Sequence, residues 1–225
     1  MATETTLPIA GYRDEPVPNR FIRPRGATDR LAVLLPGFGY NCDMPLFYYT
    51  ENMLTERGWD ILRVDYAYSR NAEFRNSPDA EREHWLLADV DAAWSAGVAQ
   101  GTYGEVALIG KSLGTLAMGH LLTTVIGSNI AWAVWLTPLL GDARRREQIE
   151  RSGAPSLFVI GTADPHYDAV MLARMVEATG GEAVVIDGAD HGMDIPGDPV
   201  ASVQGLERIV AALARFLPAN DAADR

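Results

Sequence analysis

The sequence predicts an α/β fold, a mostly parallel central sheet with helices on both faces in a three-layer sandwich. Two observations carry this. Short apolar runs suited to buried strands alternate about six times with longer segments of helical periodicity. Runs such as LAVLL and SLFVI are also continuously apolar, as strands covered on both faces are. Ligands of such sheets bind beyond the carboxyl ends of the strands, so function is sought in the residues that follow each strand.

The opening segment, residues 1–24, is rich in proline and charge and is expected to hold one edge strand. LAVLLPG (31–37) and ILRVDYA (61–67) are the first two core strands. Residues 81–98 form a helix, with Trp85, Ala88, Ala92 and Ser95 at three- and four-residue spacing. EVALIG (105–110) is a strand and 113–126 a helix; 130–136 and SLFVI (156–160) are further strands. A helix over 167–179, a strand AVVID (183–187) and a closing helix over 199–217 complete the series. Residues 218–225 read as a frayed tail. The whole, 1–225, fits one domain large enough to bury a full core.

Composition narrows the partners. The formal charge of −11 repels phosphate backbones and anionic lipid, so neither nucleic acid nor a membrane is an expected partner. MATETTLPIA lacks the basic and long apolar stretches of a secretory signal, and runs such as AWAVWLTPLL are too short to span a bilayer. Cys42, the single cysteine, excludes an intrachain disulfide and fits a reducing compartment. A cytoplasmic location is expected, with the oligomeric state left open.

Four strand ends carry chemistry: PGFGYNCD (36–43), GKSLG (110–114), GTADPHYD (161–168) and GADHGMDIPGD (188–198). Ser112 stands between a buried strand and a helix. A nucleophile there needs a strained backbone at the apex of a sharp turn, and side chains at Gly110 and Gly114 would collide where strand and helix nearly touch. The competing reading is a serine that caps its helix.

A serine hydroxyl needs a base. His84 and His120 lie inside helices, and His166 is too close in sequence to the proposed acid, leaving His191 in its glycine-bounded loop. The imidazole in turn needs an orienting carboxylate. Asp164 opens the loop after SLFVI; Asp168, Asp187, Asp190 and Asp194 are rivals with poorer placement. Donors for a tetrahedral oxyanion are expected from the backbone N–H groups of Leu113 and Phe38. A phosphate-cradling reading of PGFGYNCD lacks the Lys-Ser/Thr ending, and its helical opening is broken by Pro45.

Taken together, PGFG, GKSLG, GTADPHYD and GADHG resemble the α/β-hydrolase superfamily over roughly 31–217. The resemblance implies a Ser112–His191–Asp164 triad hydrolysing a carboxylic ester or thioester. It needs no cofactor, and no paired Cys/His set suggests a metal. A peptidase or C–C bond hydrolase would share this machinery, and a non-catalytic scaffold could keep the fold. Two departures stand out. Pro36-Gly37 occupies a place where many relatives have His-Gly, and only about twenty residues (137–156) stand where many insert a helical lid. A relatively open site and a small or exposed substrate are implied. Tyr40, Tyr48, Tyr49, Tyr66 and Tyr68 are candidates to line the pocket. Arg63, Arg70 and Arg75 could meet an anionic substrate, and Cys42 lies near the oxyanion loop without an evident base.

Overall fold

The computed structural model describes residues 2–125 and 129–219. Eight strands form one sheet: β1 (Thr3–Thr5), β2 (Asn19–Arg23), β3 (Arg30–Leu35), β4 (Asp60–Val64), β5 (Glu105–Lys111), β6 (Ile130–Leu136), β7 (Ser156–Gly161) and β8 (Glu182–Ile186). Their order is β1-β2-β4-β3-β5-β6-β7-β8. Pairing is parallel from β4 through β8, while β1–β2 and β2–β4 are antiparallel. The sheet is thus mostly parallel, as the continuous apolar runs require.

Side-chain alternation along the strands divides the core in two. Leu31, Val33 and Leu35 of β3 pack on one face with helices α3 (Asp79–Val98), α4 (Leu113–Thr124), α5 (Ala143–Ser152) and α6 (Ala169–Thr179). Ala32 and Leu34 face the other way, toward α1 (Pro45–Glu56) and α7 (Pro199–Phe216). A one-turn helix α2 (Ala72–Asn76) sits between β4 and α3, capped by the Asn71 side chain. Among the described residues, no helix is long and apolar enough to cross a membrane.

Three expectations need correction. The opening segment contributes two strands rather than one; β1 is exposed along its length and is held by backbone pairing to β2, which leaves no apolar pattern to read. Pro45 does not break a helix after the first glycine loop but opens one, standing in the first turn of α1. A missing N–H costs nothing there, and the ring presets the helical φ. The helix expected over 113–126 ends at Thr124; residues 126 and 220–225, the latter most of the expected tail, lie outside the described residues.

Candidate active site

β5 delivers the elbow. Ser112 lies between Lys111, the last residue of β5, and Leu113, the first of α4, with φ 51° and ψ −111°. This left-handed backbone is unfavourable for any residue but glycine. The surroundings enforce it: Ser112 N–H donates to the Leu136 carbonyl at 2.9 Å, and the Ser112 carbonyl accepts from Thr115 N–H at 2.9 Å and Thr115 Oγ1 at 2.6 Å. A Cβ at Gly110 would lie 2.4 Å from Met118 Sδ, and one at Gly114 only 1.8 Å from the Leu35 carbonyl oxygen. The Ser112 side chain makes no capping bond to α4, so its hydroxyl is turned elsewhere.

It is turned to His191. Ser112 Oγ–H donates to His191 Nε2 at 2.8 Å, and His191 Nδ1–H donates to Asp164 Oδ2 at 2.8 Å. A carboxylate can only accept, which fixes this tautomer. The three groups stand at the ends of β5, β7 and β8, in the arrangement the sequence predicts. Of the rival aspartates, Asp168 caps α6, Asp187 accepts from Thr162 Oγ1, and Asp190 binds the N–H groups of Gly192 and Asp194. The Asp164 side chain is fully buried. Burial pushes its pKa up, but the bonds from His191 and from the His166 backbone N–H outweigh it, and the carboxyl ends below the ordinary aspartate value.

Leu113 N–H lies in the first turn of α4, where a helix leaves its donors without intrahelical partners. Phe38 follows Gly37, where the β3–α1 loop comes close to the elbow: a Cβ there would be 3.3 Å from the Lys111 carbonyl oxygen and 3.4 Å from Ser112 Cβ. Phe38 is 41% exposed and lines the Ser112 cleft.

That cleft has a volume of about 480 Å³. Phe38, Phe74, Leu86, Leu113, Leu116 and Leu139 supply its apolar wall. Its rim is ionic, with Asp79 paired to Arg82 and Glu83 and Asp142 paired to Arg145. The short segment after β6 therefore holds one helix, α5, whose first turn closes one side of the site.

The aromatic and basic candidates fall elsewhere. Tyr66 and Tyr68 are buried and stacked on each other at 4.5 Å, and Tyr48 and Tyr49 are exposed on α1. Tyr40 lines a different cavity, of about 460 Å³, beside Met193 and α7. None of the five lines the Ser112 cleft, where phenylalanine and leucine stand instead. Arg63 is buried among Asp43, Glu51 and Asp65. Arg70 and Arg75 are exposed and outside the cleft. Cys42 is buried, and burial pushes its thiol pKa far up, away from nucleophilic use.

Asp164, His166 and His191 bring ligand-type atoms within 4.8 Å of one another. Asp164 Oδ2 and His191 Nδ1 are bonded to each other and Nε2 to Ser112, so a metal there would have to displace the Ser–His–Asp chain.

Comparison with known proteins agrees with this architecture. A family model described as an alpha/beta hydrolase domain matches residues 28–217. The chain belongs to the alpha/beta-hydrolase family. Solved structures similar to this alpha/beta hydrolase include the Pyrococcus furiosus esterase Pf2001, with TM-score 0.68 and 14% identity over 96% of this chain and 93% of the other. A cold-adapted esterase from an Arctic intertidal metagenomic library gives 0.66 and 16% over 96% and 94%. The dienelactone hydrolase of Anabaena variabilis gives 0.67 and 17% over 96% of each. These likenesses are of fold. No curated protein matches the sequence.

One residue that sequence reasoning passed over is Lys111. It is 1% exposed, next to Ser112 in the chain, and donates to Thr137 Oγ1 and to the His191 carbonyl. The available signal was a lysine ending an otherwise apolar strand.

Proposed function

We propose that this alpha/beta hydrolase is a serine hydrolase that cleaves a carboxylic ester or thioester through an acyl-enzyme intermediate. The observation that carries the reading is the continuous chain of two 2.8 Å hydrogen bonds from Ser112 Oγ through His191 to buried Asp164. His191 Nε2 takes the hydroxyl proton as Oγ attacks the carbonyl carbon, and the tetrahedral oxyanion is met by Leu113 and Phe38 N–H. The imidazolium, stabilised by Asp164, then protonates the leaving alcohol or thiol. Water activated by the same imidazole attacks the acyl-enzyme carbonyl, and Ser112 leaves with the proton.

The cleft supports a substrate class. An apolar wall beside the serine suits an uncharged acyl or aryl group of moderate size, and the open, ionic rim leaves room for a polar remainder in solvent. Several solved structures with this fold are named esterases, which accords with the reading.

A fluorophosphonate probe tests it. The folded wild-type protein is expected to be labelled at Ser112, and Ser112→Ala and His191→Ala are expected to lose both labelling and ester turnover. An unlabelled wild type, or an Ser112→Ala variant with full turnover, refutes the assignment.

A further inference from the structure

Two hydrogen bonds account for the triad, yet neither fixes the backbone on which His191 stands. Lys111 does. As the last residue of β5 its side chain shares the face of Ala107 and Ile109, toward α1 and α7. Its Nζ donates to the His191 carbonyl at 2.6 Å and to Thr137 Oγ1 at 2.9 Å, and lies 4.7 Å from the Tyr40 ring centroid. These partners belong to three separate strand-end loops, after β8, β6 and β3. The ammonium thus ties the elbow to all three.

Thr137 supplies an independent sign of a built arrangement. It is fully buried with φ 47°, a backbone state that β-branched residues avoid, and its N–H is anchored to the Val159 carbonyl at 2.7 Å. Packing alone would be met by a leucine or methionine at 111. A buried ammonium is costly unless its donors are satisfied, and here two hydrogen bonds and the face of the Tyr40 ring meet it.

We infer that Lys111 is a positioning residue: by clamping the His191 carbonyl against β5 and Thr137, it sets the approach of the imidazole to Ser112 Oγ. This rests on the serine-hydrolase reading. Asp164 restrains the far edge of the ring, and Lys111 restrains the backbone behind it. With the second restraint removed, the ring pivots about Asp164 and Nε2 moves off the hydroxyl. Lys111 does not line the Ser112 cleft, so substrate binding is untouched.

The charge on Lys111 strengthens both bonds and the contact with Tyr40. Burial lowers its pKa to about 8, opposed by Asp164 from the β7–α6 loop and by Asp190 and Asp194 from the β8–α7 loop. The Tyr40 phenol, pushed up to about 12 chiefly by burial, stays neutral in this range, and Thr137 does not titrate.

The test uses p-nitrophenyl esters and a fluorophosphonate probe on the full chain. Lys111→Met is expected to lower kcat and the Ser112 labelling rate together by roughly 10- to 100-fold, with KM within about twofold, since about 1 Å of misplacement can cost 10²-fold. The wild type is expected to lose kcat on an alkaline limb centred near pH 8. Thr137→Val deletes one acceptor at constant shape and is expected to move that limb to lower pH, a shift that a purely structural role would not produce. If Lys111→Met does not fold, the limb and its displacement in Thr137→Val decide. Labelling within twofold of wild type in folded Lys111→Met, or a limb unmoved in Thr137→Val, overturns the clamp. A wild type that takes no label sinks the nucleophile assignment instead.

Discussion

Gly114→Ala is the sharpest mechanical test of the elbow. A Cβ at this position would lie 1.8 Å from the Leu35 carbonyl oxygen, 2.6 Å from its carbon and 2.9 Å from the Pro36 carbonyl oxygen. The limit for real contacts is near 3.0 Å, so the separation must grow by 3.0 − 1.8 = 1.2 Å. All of these atoms are backbone. Leu35 ends β3, paired to β5 in the middle of the sheet and fully buried, so the start of α4 is what must lift. Lifting it carries Ser112 and Leu113 away from the loop that bears Phe38. Overpacking of this kind costs about 1–3 kcal/mol, partly offset by up to about 1 kcal/mol because alanine favours helix over glycine. At about 2–4 °C per kcal/mol for a chain of this size, Tm falls by several degrees. Activity is expected to suffer more, about 10²-fold in kcat, because the displacement exceeds the misplacement known to have that effect. Calorimetry and p-nitrophenyl ester kinetics read both, with Gly141→Ala, where a Cβ meets nothing within 4 Å, as the stability comparison. A Gly114→Ala protein with wild-type Tm and kcat refutes the close-approach argument.

Two further substitutions probe the charges. Asp164→Asn leaves the shape but offers His191 the wrong hydrogen-bond pattern, and kcat is expected to fall by about 10⁴-fold with KM little changed. Because the folded pKa of Asp164 is depressed, its contribution to stability is fully present above the unfolded value of about 3.9 and fades as pH falls through the lower folded value. The stability gap between wild type and Asp164→Asn, followed by urea unfolding, must therefore close in acid; a gap unchanged well below pH 3 contradicts the depressed pKa. Arg63→Met strips the shared partner from Asp43, Glu51 and Asp65. Since Asp43 is largely solvated, the loss in urea unfolding is expected near 2–3 kcal/mol, at or below the roughly 3–5 kcal/mol of a fully buried pair, with Ser112 labelling retained.

The strand ends were legible because burial on both faces leaves an unbroken apolar run, and in a parallel sheet the residue after such a run is delivered to one common edge. That is why Ser112, Asp164 and His191 could be named before their contacts were known. Where local pattern and tertiary position part company, legibility fails. β1 is three exposed residues with no apolar side chain, held mainly by backbone pairing to β2. Pro45 reads as a breaker or as a helix opener according to whether it stands within the helix or in its first turn, which local sequence does not settle. The tyrosines after β3 and β4 point into the core, onto α1 or into another cavity, while Phe74 reaches the cleft from a one-turn helix. Lys111 is separated from its two hydrogen-bond partners by 26 and 80 residues, a pairing no local spacing encodes.

The distribution of strain and buried charge bears on the alternative of a non-catalytic scaffold. Apart from Arg13 and Asp14 in an N-terminal turn, the described non-glycine residues at positive φ are Ser112, Thr137 and Met193. Ser112 follows β5 and carries the hydroxyl, Thr137 follows β6 and accepts from Lys111, and Met193, the second residue after His191, lines the other cavity. Each such residue costs on the order of 1–3 kcal/mol and persists only where surrounding structure over-determines it. Lys111 adds a desolvated ammonium at the same place, and Asp164 a fully buried carboxylate. A fold retained only as a frame would be more stable with glycine at 112 and an apolar residue at 111. Cost concentrated on a hydroxyl, the imidazole hydrogen-bonded to it and the groups that hold them accords with the nucleophilic role proposed for Ser112. The scaffold reading therefore survives only if Ser112→Gly and Lys111→Met stabilise the protein while every chemical activity is already absent from the wild type.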